Sequence, residues 1–140
     1  MPAKIICGFP GIGKSFLANS NKRILDMDAP QYYFEGIFPY GYINRVKQNL
    51  DKADLILISA HRIVLEVLNR KKIDYTLVYP KRELKEEYMF RYKFRKSPKS
   101  FMIYMNRMWN RFIDDFEQQV DKKQIVLESG QYLKHVLDKI

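Results

Sequence analysis

The residues Gly8-Phe9-Pro10-Gly11-Ile12-Gly13-Lys14-Ser15, close behind the N-terminus, have types and spacing that can hold a polyphosphate. They fit G-x-x-x-x-G-K-[ST], in which backbone N–H groups close on an anion, a lysine reaches the β- and γ-phosphates and a hydroxyl meets Mg²⁺. Gly8, Gly11 and Gly13 let the chain turn tightly and approach phosphate without a Cβ in the way. Ile12 and Phe16 complete the expected phosphate-binding segment, with Lys14 neutralising charge and Ser15 as the metal's hydroxyl ligand. So short a pattern can arise by chance, so its setting matters. Lys4-Ile5-Ile6-Cys7 reads as a buried strand and Phe16-Leu17-Ala18 opens a helix. Strand, glycine loop, helix is the context this chemistry needs, and a bound nucleoside triphosphate is the expectation.

A second set of candidates follows. Asp26 and Asp28 alternate at the end of the next extended run, Lys22-Arg23-Ile24-Leu25-Asp26, and so point the same way. An acidic group near a γ-phosphate is useful only where it meets the metal or an acceptor hydroxyl; a solvated Asp-x-Asp turn is the competing reading. Residues 29–45 carry Tyr32, Tyr33, Phe34, Phe38, Tyr40 and Tyr42 without a clean period, which suggests loop or short helical turns over a site, running into a helix from about Gly41. Their rings could stack a base or simply pack on the fold.

The elements that must position these residues can be read from apolar spacing. Asp54–Ser59 and Tyr75–Tyr79 are nearly continuous apolar runs, the mark of strands buried on both faces, and Gln124–Glu128 supplies a fifth strand. Between them, Ile63, Val64, Val67 and Leu68 mark one helix and Lys81 to about Lys96 a charged one. A long helix from Ser100 or Phe101 to about Val120 carries the stripe Phe101, Tyr104, Met105, Met108, Phe112 and Phe116, read as core, and a last helix runs from Gly130 or Gln131 to Ile140. Alternating strands and helices predict an α/β fold with a five-stranded parallel sheet and helices on both faces, in a single domain over residues 1–140.

Composition narrows the partners. The chain has 140 residues, 46% of them hydrophobic, and 25 basic against 16 acidic residues give a net charge of +9. That excess suggests anionic partners, nucleotides or a nucleic-acid strand among them. Cys7 alone excludes an internal disulfide and fits a reducing compartment. The absence of a membrane-length apolar run and of a signal-peptide core suggests the cytoplasm, with no membrane partner. His61, just after the third strand, sits where α/β folds place ligands, although an idle helix-start residue is the plainer reading.

From Gly8 to Asp28 the chain resembles the P-loop kinases of small substrates: shikimate and gluconate kinases, nucleoside monophosphate kinases and the kinase domain of polynucleotide kinase. Tyr79-Pro80-Lys81-Arg82-Glu83-Leu84-Lys85-Glu86-Glu87-Tyr88 and Val126-Leu127-Glu128-Ser129-Gly130-Gln131-Tyr132-Leu133 extend a likeness to small kinase-like ATP-binding proteins of bacteriophages and related bacterial elements. The resemblance implies a three-layer P-loop NTPase fold of kinase type, strand order 2-3-1-4-5, and ATP and Mg²⁺ as cofactors. It implies Asp26 as metal support, Asp28 as a holder of the acceptor, and either Asp26 or Asp28 as the base of the acceptor hydroxyl. Acceptor contacts would come from Tyr32, Tyr33 and Phe34, and a lid-like segment over residues 81–100 would bring Arg91 and Arg95, with Arg82 near the strand end, onto phosphate. Arg91 and Arg95 share one helix face, and a guanidinium can clamp phosphate with two parallel bonds; a solvated helix of Glu–Lys and Glu–Arg pairs is the alternative.

The third strand ends Leu57-Ile58-Ser59-Ala60-His61, without the acidic end of an ATPase motor, and no late Asn-Lys-x-Asp reads guanine as in a GTPase. The sequence therefore suggests phosphoryl transfer to an acceptor, a nucleoside monophosphate or related small molecule first. A hydroxyl on a nucleic-acid end or modified base is the alternative, and a nucleotide-dependent binding module with little turnover is the third.

Overall fold

Each apolar run becomes a strand. The computed structural model describes residues 2–27, 39–59 and 61–140, and its five strands are β1 (Lys4–Gly8), β2 (Ile24–Asp26), β3 (Leu55–Ser59), β4 (Thr76–Pro80) and β5 (Lys123–Leu127). All pairings are parallel, in the order β2-β3-β1-β4-β5. This is the α/β sheet expected from the sequence, in the order the resemblance implied. Ile5, Ile6 and Cys7 of the central strand are buried, and Cys7 is registered between Ile58 and Leu77.

Helices α1 (Lys14–Ser20), α2 (Tyr40–Gln48), α3 (Arg62–Arg70), α4 (Lys85–Phe94) and α5 (Lys99–Glu117) alternate with the strands. Parallel crossovers are right-handed, which assigns α1 to one face of the sheet and α2, α3 and the α4–α5 pair to the other. The contacts agree: α1 meets the C-terminal turns, α2 meets α3, and α4 meets α5. No helix among the described residues is long and apolar enough to cross a membrane.

Four expectations change. The final helix is instead two single 3-10 turns, Leu133–His135 and Leu137–Lys139, since an apolar residue every three or four positions serves a short turn as well as a helix. The charged helix begins with a separate 3-10 turn, Arg82–Leu84, before α4. On α3, Ile63 is 46% exposed and Leu65 is buried in its place. On α5 the buried side is Met105, Trp109, Ile113 and Phe116, while Tyr104 is exposed and Phe101, Met108 and Phe112 are half-buried. Apolar side chains surround most of α5, so the tertiary partner rather than the period selects the buried face. That partner is a ring cluster: Phe9 meets Trp109 edge-on at 5.1 Å and Phe116 at 5.7 Å, and Tyr88 completes it at 6.2 Å from Phe9. Such pairs contribute about 0.5–1.5 kcal/mol each beyond area burial.

Candidate functional site

The parallel register lays Gly8, Ser59 and Val78 side by side at the C-terminal ends of the central strands, the edge where open α/β sheets place ligands. The glycine loop leaves β1 there and delivers Lys14 as the first residue of α1. Gly11 and Gly13 hold φ of +91° and +93°, in the left-handed region. Neighbours close the loop as well: a Cβ on Gly11 would lie 2.9 Å from the Tyr92 ring.

Lys14 is only 6% exposed, and its Nζ donates to the carbonyls of Gly8 at 2.7 Å and Phe9 at 3.1 Å. The ammonium is therefore held across the mouth of the loop, where an entering phosphate would exchange for those carbonyls. Ser15 Oγ donates to Asp26 Oδ2 at 2.9 Å, so β2 brings its carboxylate to the hydroxyl the motif singles out. Together they offer two hard oxygens. Magnesium suits such a pair, because it takes one or two protein oxygens and fills the rest of its octahedron with water and substrate phosphate. No cluster of three His, Cys, Asp or Glu side chains that could hold a metal occurs among the described residues. Asp28, Tyr32, Tyr33 and Phe34 lie outside the described residues. Of the later aromatics in that segment, Tyr42 is buried and donates to the Met27 carbonyl, and Tyr40 accepts from Arg70.

Ser59 stands outside the motif and carries no role in the sequence reading. It is 7% exposed and faces the same cavity as Lys14 and Ser15, and its Oγ finds no hydrogen-bond partner among the described residues. A buried hydroxyl without a partner is costly, so this group marks a place for a polar ligand or water. His61, two residues on, lines the cavity too. The signal that could have found Ser59 is its place at the polar end of a fully apolar strand.

The arginines divide. Arg91 reaches the loop, donating to the carbonyls of Gly11 at 3.0 Å and Gln131 at 3.1 Å and to Glu87 at 3.1 Å, with its guanidinium between the rings of Tyr88 and Tyr132. Tyr92 next to it donates to the Pro10 carbonyl at 2.8 Å. Two consecutive residues thus tie α4 to the glycine loop, and α4 forms one wall of the site. Burial pushes the Tyr88 phenol up to about 12, which keeps it neutral beside the guanidinium. Arg95 lines the cavity over the Tyr92 ring at 5.0 Å and donates to Ser97 at 2.9 Å. Arg82 does not come to the site. It is tied to Asp114 and Glu117 of α5 and to Asn110, beside a separate depression under β4 and β5. Those partners lie about thirty residues further on, a distance over which spacing carries no signal.

The cavity over the loop encloses about 670 Å³. Its floor is the loop, Lys14, Ser15 and Ser59; its far wall is Phe94, Phe101, Tyr104, Met105, Phe112 and Phe116. Part of the α5 stripe that reads as core in the sequence therefore faces the site. Tyr132, from the C-terminal segment, closes the other end beside Gly13. No protein-family model matches the chain, and no curated protein matches it at a significant level.

Proposed function

We propose that this chain is a P-loop kinase that moves the γ-phosphate of ATP, with Mg²⁺, to a hydroxyl or phosphate of a nucleotide-type acceptor. The observation that carries the reading is the pairing of Ser15 with Asp26 beside a buried Lys14, at the floor of a cavity that continues past the loop into an aromatic wall. Phosphoryl transfer asks the protein for in-line positioning and charge neutralisation, and room beyond the γ-phosphate is what a second substrate needs. In the step, an acceptor oxygen bonds to the γ-phosphorus as the bond to the β–γ bridging oxygen breaks. ADP leaves with that electron pair, and an acceptor proton passes to a base. Asp28 is the base in this proposal, Asp26 and Ser15 would hold the metal, and the metal would draw charge from the leaving phosphates. Lys14 follows the γ-phosphate, while Arg91 keeps the loop in shape.

A nucleic-acid acceptor is the second reading, favoured by the net charge of +9. The test is incubation with γ-labelled ATP and panels of nucleosides, nucleotides and DNA. Label in a mononucleotide pool supports the first reading, label in DNA with a steep salt dependence the second, and no labelled acceptor overturns both in favour of a binding module. In the labelled reaction, Asp26→Asn is expected to lower the rate about 100-fold and to raise the Mg²⁺ concentration needed for half-maximal rate. An unchanged rate and Mg²⁺ requirement would remove Asp26 from the mechanism.

A further inference from the structure

The α4–α5 wall is unusual for a surface helix pair. Phe94 is 79% exposed and Tyr104 52% exposed, yet both belong to a concave lining rather than a scattered surface. Tyr104 meets Phe112 at 5.6 Å and 63°, Phe101 meets Tyr92 edge-on at 5.2 Å, and Phe94 stacks by one face on Phe90 at 6.3 Å. Arg95 lies 5.6 Å over Phe101 at the rim. Among the described residues that line the cavity none is acidic, whereas Lys14, Arg91 and Arg95 are basic. Flat apolar faces beside cationic groups are complementary to a base that carries phosphate, and the carboxylates nearest the lining, Asp26 and Glu87, are engaged by Ser15 and Arg91.

Direction along the loop separates the two ends of the cavity. Phe9 and Pro10, at the start of the loop, pack on α4 and α5, through Trp109, Phe116 and the Tyr92 hydroxyl. Phe16, after the loop, lines the cavity with Lys134 5.0 Å over its ring and Tyr132 nearby at Gly13. A triphosphate whose terminal groups meet Lys14 and whose metal meets Ser15 would have Phe16 and Tyr132 at hand for its own base.

We propose that the α4–α5 wall, built on Phe94, Phe101, Tyr104 and Phe112, seats the base of the second, phosphate-accepting nucleotide. This rests on the kinase reading for the word accepting, but the seat itself is measured without turnover. It places base recognition on α4 and α5; of the aromatics between residues 29 and 45, Tyr40 and Tyr42 are engaged elsewhere, and Tyr32, Tyr33 and Phe34 lie outside the described residues. The ligand is a nucleobase, supplied either by a mononucleotide or by a single strand.

The experiment measures equilibrium binding of two labelled probes, deoxynucleoside monophosphates and a short single-stranded oligonucleotide of mixed sequence. Each is titrated in the presence of a saturating non-hydrolysable ATP analogue. The variants are Tyr104→Ala and Phe94→Ala, whose exposure makes misfolding a small risk, with Ile103→Ala as a control on the outer face of α5. The expected result is that the bound probe loses about tenfold in affinity in the first two variants. The control and the affinity for the ATP analogue change less than about twofold. A monophosphate that binds identifies the small-molecule source; binding by the oligonucleotide alone identifies a strand. The proposal is overturned if no base-bearing probe binds or if both wall variants bind as the parent does. It is also overturned if affinity for the ATP analogue falls in step, since the wall would then hold the donor's base. Base binding that persists without any phosphate transfer sinks the kinase reading and leaves the seat standing.

Discussion

The floor and the far wall of one cavity are built by opposite means. On the floor, chemistry comes from backbone shape and a few polar atoms: two left-handed glycines, the Lys14 ammonium, and the Ser15–Asp26 pair. On the wall it comes from side-chain surface, aromatic rings on α4 and α5 without a hydrogen-bonding pattern. A floor of this kind discriminates charge and geometry strongly, because a buried polar group left without its partner is expensive. A wall of rings binds flat groups with little discrimination among them. The same molecule would therefore be strict about the phosphate and tolerant about the base.

Breaking the floor alone gives the largest expected effect. Lys14→Met should lower single-turnover phosphate transfer about 100- to 1000-fold while leaving base binding on the wall intact; equal loss of both would show that floor and wall are one unit. The next effect sharpens the assignment of Ser59. Ser59→Ala removes a buried hydroxyl without a partner among the described residues, so urea unfolding should show stability unchanged or higher by about 1 kcal/mol. Transfer measured on the same preparation should fall about tenfold; lost stability with full activity would make the hydroxyl purely structural.

The smallest effect concerns the joint between floor and wall. Hydrogen bonds from Gly130 and Ser129, with the Arg91 charge, hold the Glu87 carboxyl below the usual glutamate value against the opposing effect of burial. A depressed folded-state pKa contributes stability above the unfolded value, and that contribution is lost as pH falls through the folded one. Glu87→Gln should thus be less stable than the parent at neutral pH, with the gap in urea midpoint closing in acid. A gap independent of pH would remove the charge from the account.

How much of this was legible follows from the range of each interaction. Gly8 to Ser15 is a local device, so a strand before it and a helix after it suffice to place it, and the apolar runs 55–59 and 76–80 declare buried strands for the same reason. The wall was hidden because α5 is apolar on most sides. Choosing Met105, Trp109, Ile113 and Phe116 as its buried face requires knowing that Phe9, Tyr88 and the sheet lie there. Trp109 was the missed clue, spaced four residues from both Met105 and Ile113, with its indole N–H donating to the Arg82 carbonyl at 2.9 Å. Arg82 reads as a phosphate ligand only while Asp114 and Glu117 are out of view. Arg91 reads as a phosphate ligand in the sequence, and its bonds to Gly11, Gln131 and Glu87 give it a scaffold's work beside the loop.

Cys7 gives the molecule a built-in clock. It is the chain's single thiol, fully buried next to the C-terminal end of the central strand, and burial drives its ionisation well above the ordinary thiol range. An alkylating reagent can reach it only when β1 parts from its neighbours, so the labelling rate in native buffer counts openings of the sheet's centre. The glycine loop begins at the next residue, Gly8. Any ligand that tightens the loop should slow that clock, and the ratio of rates with and without it reads the coupling between site and core.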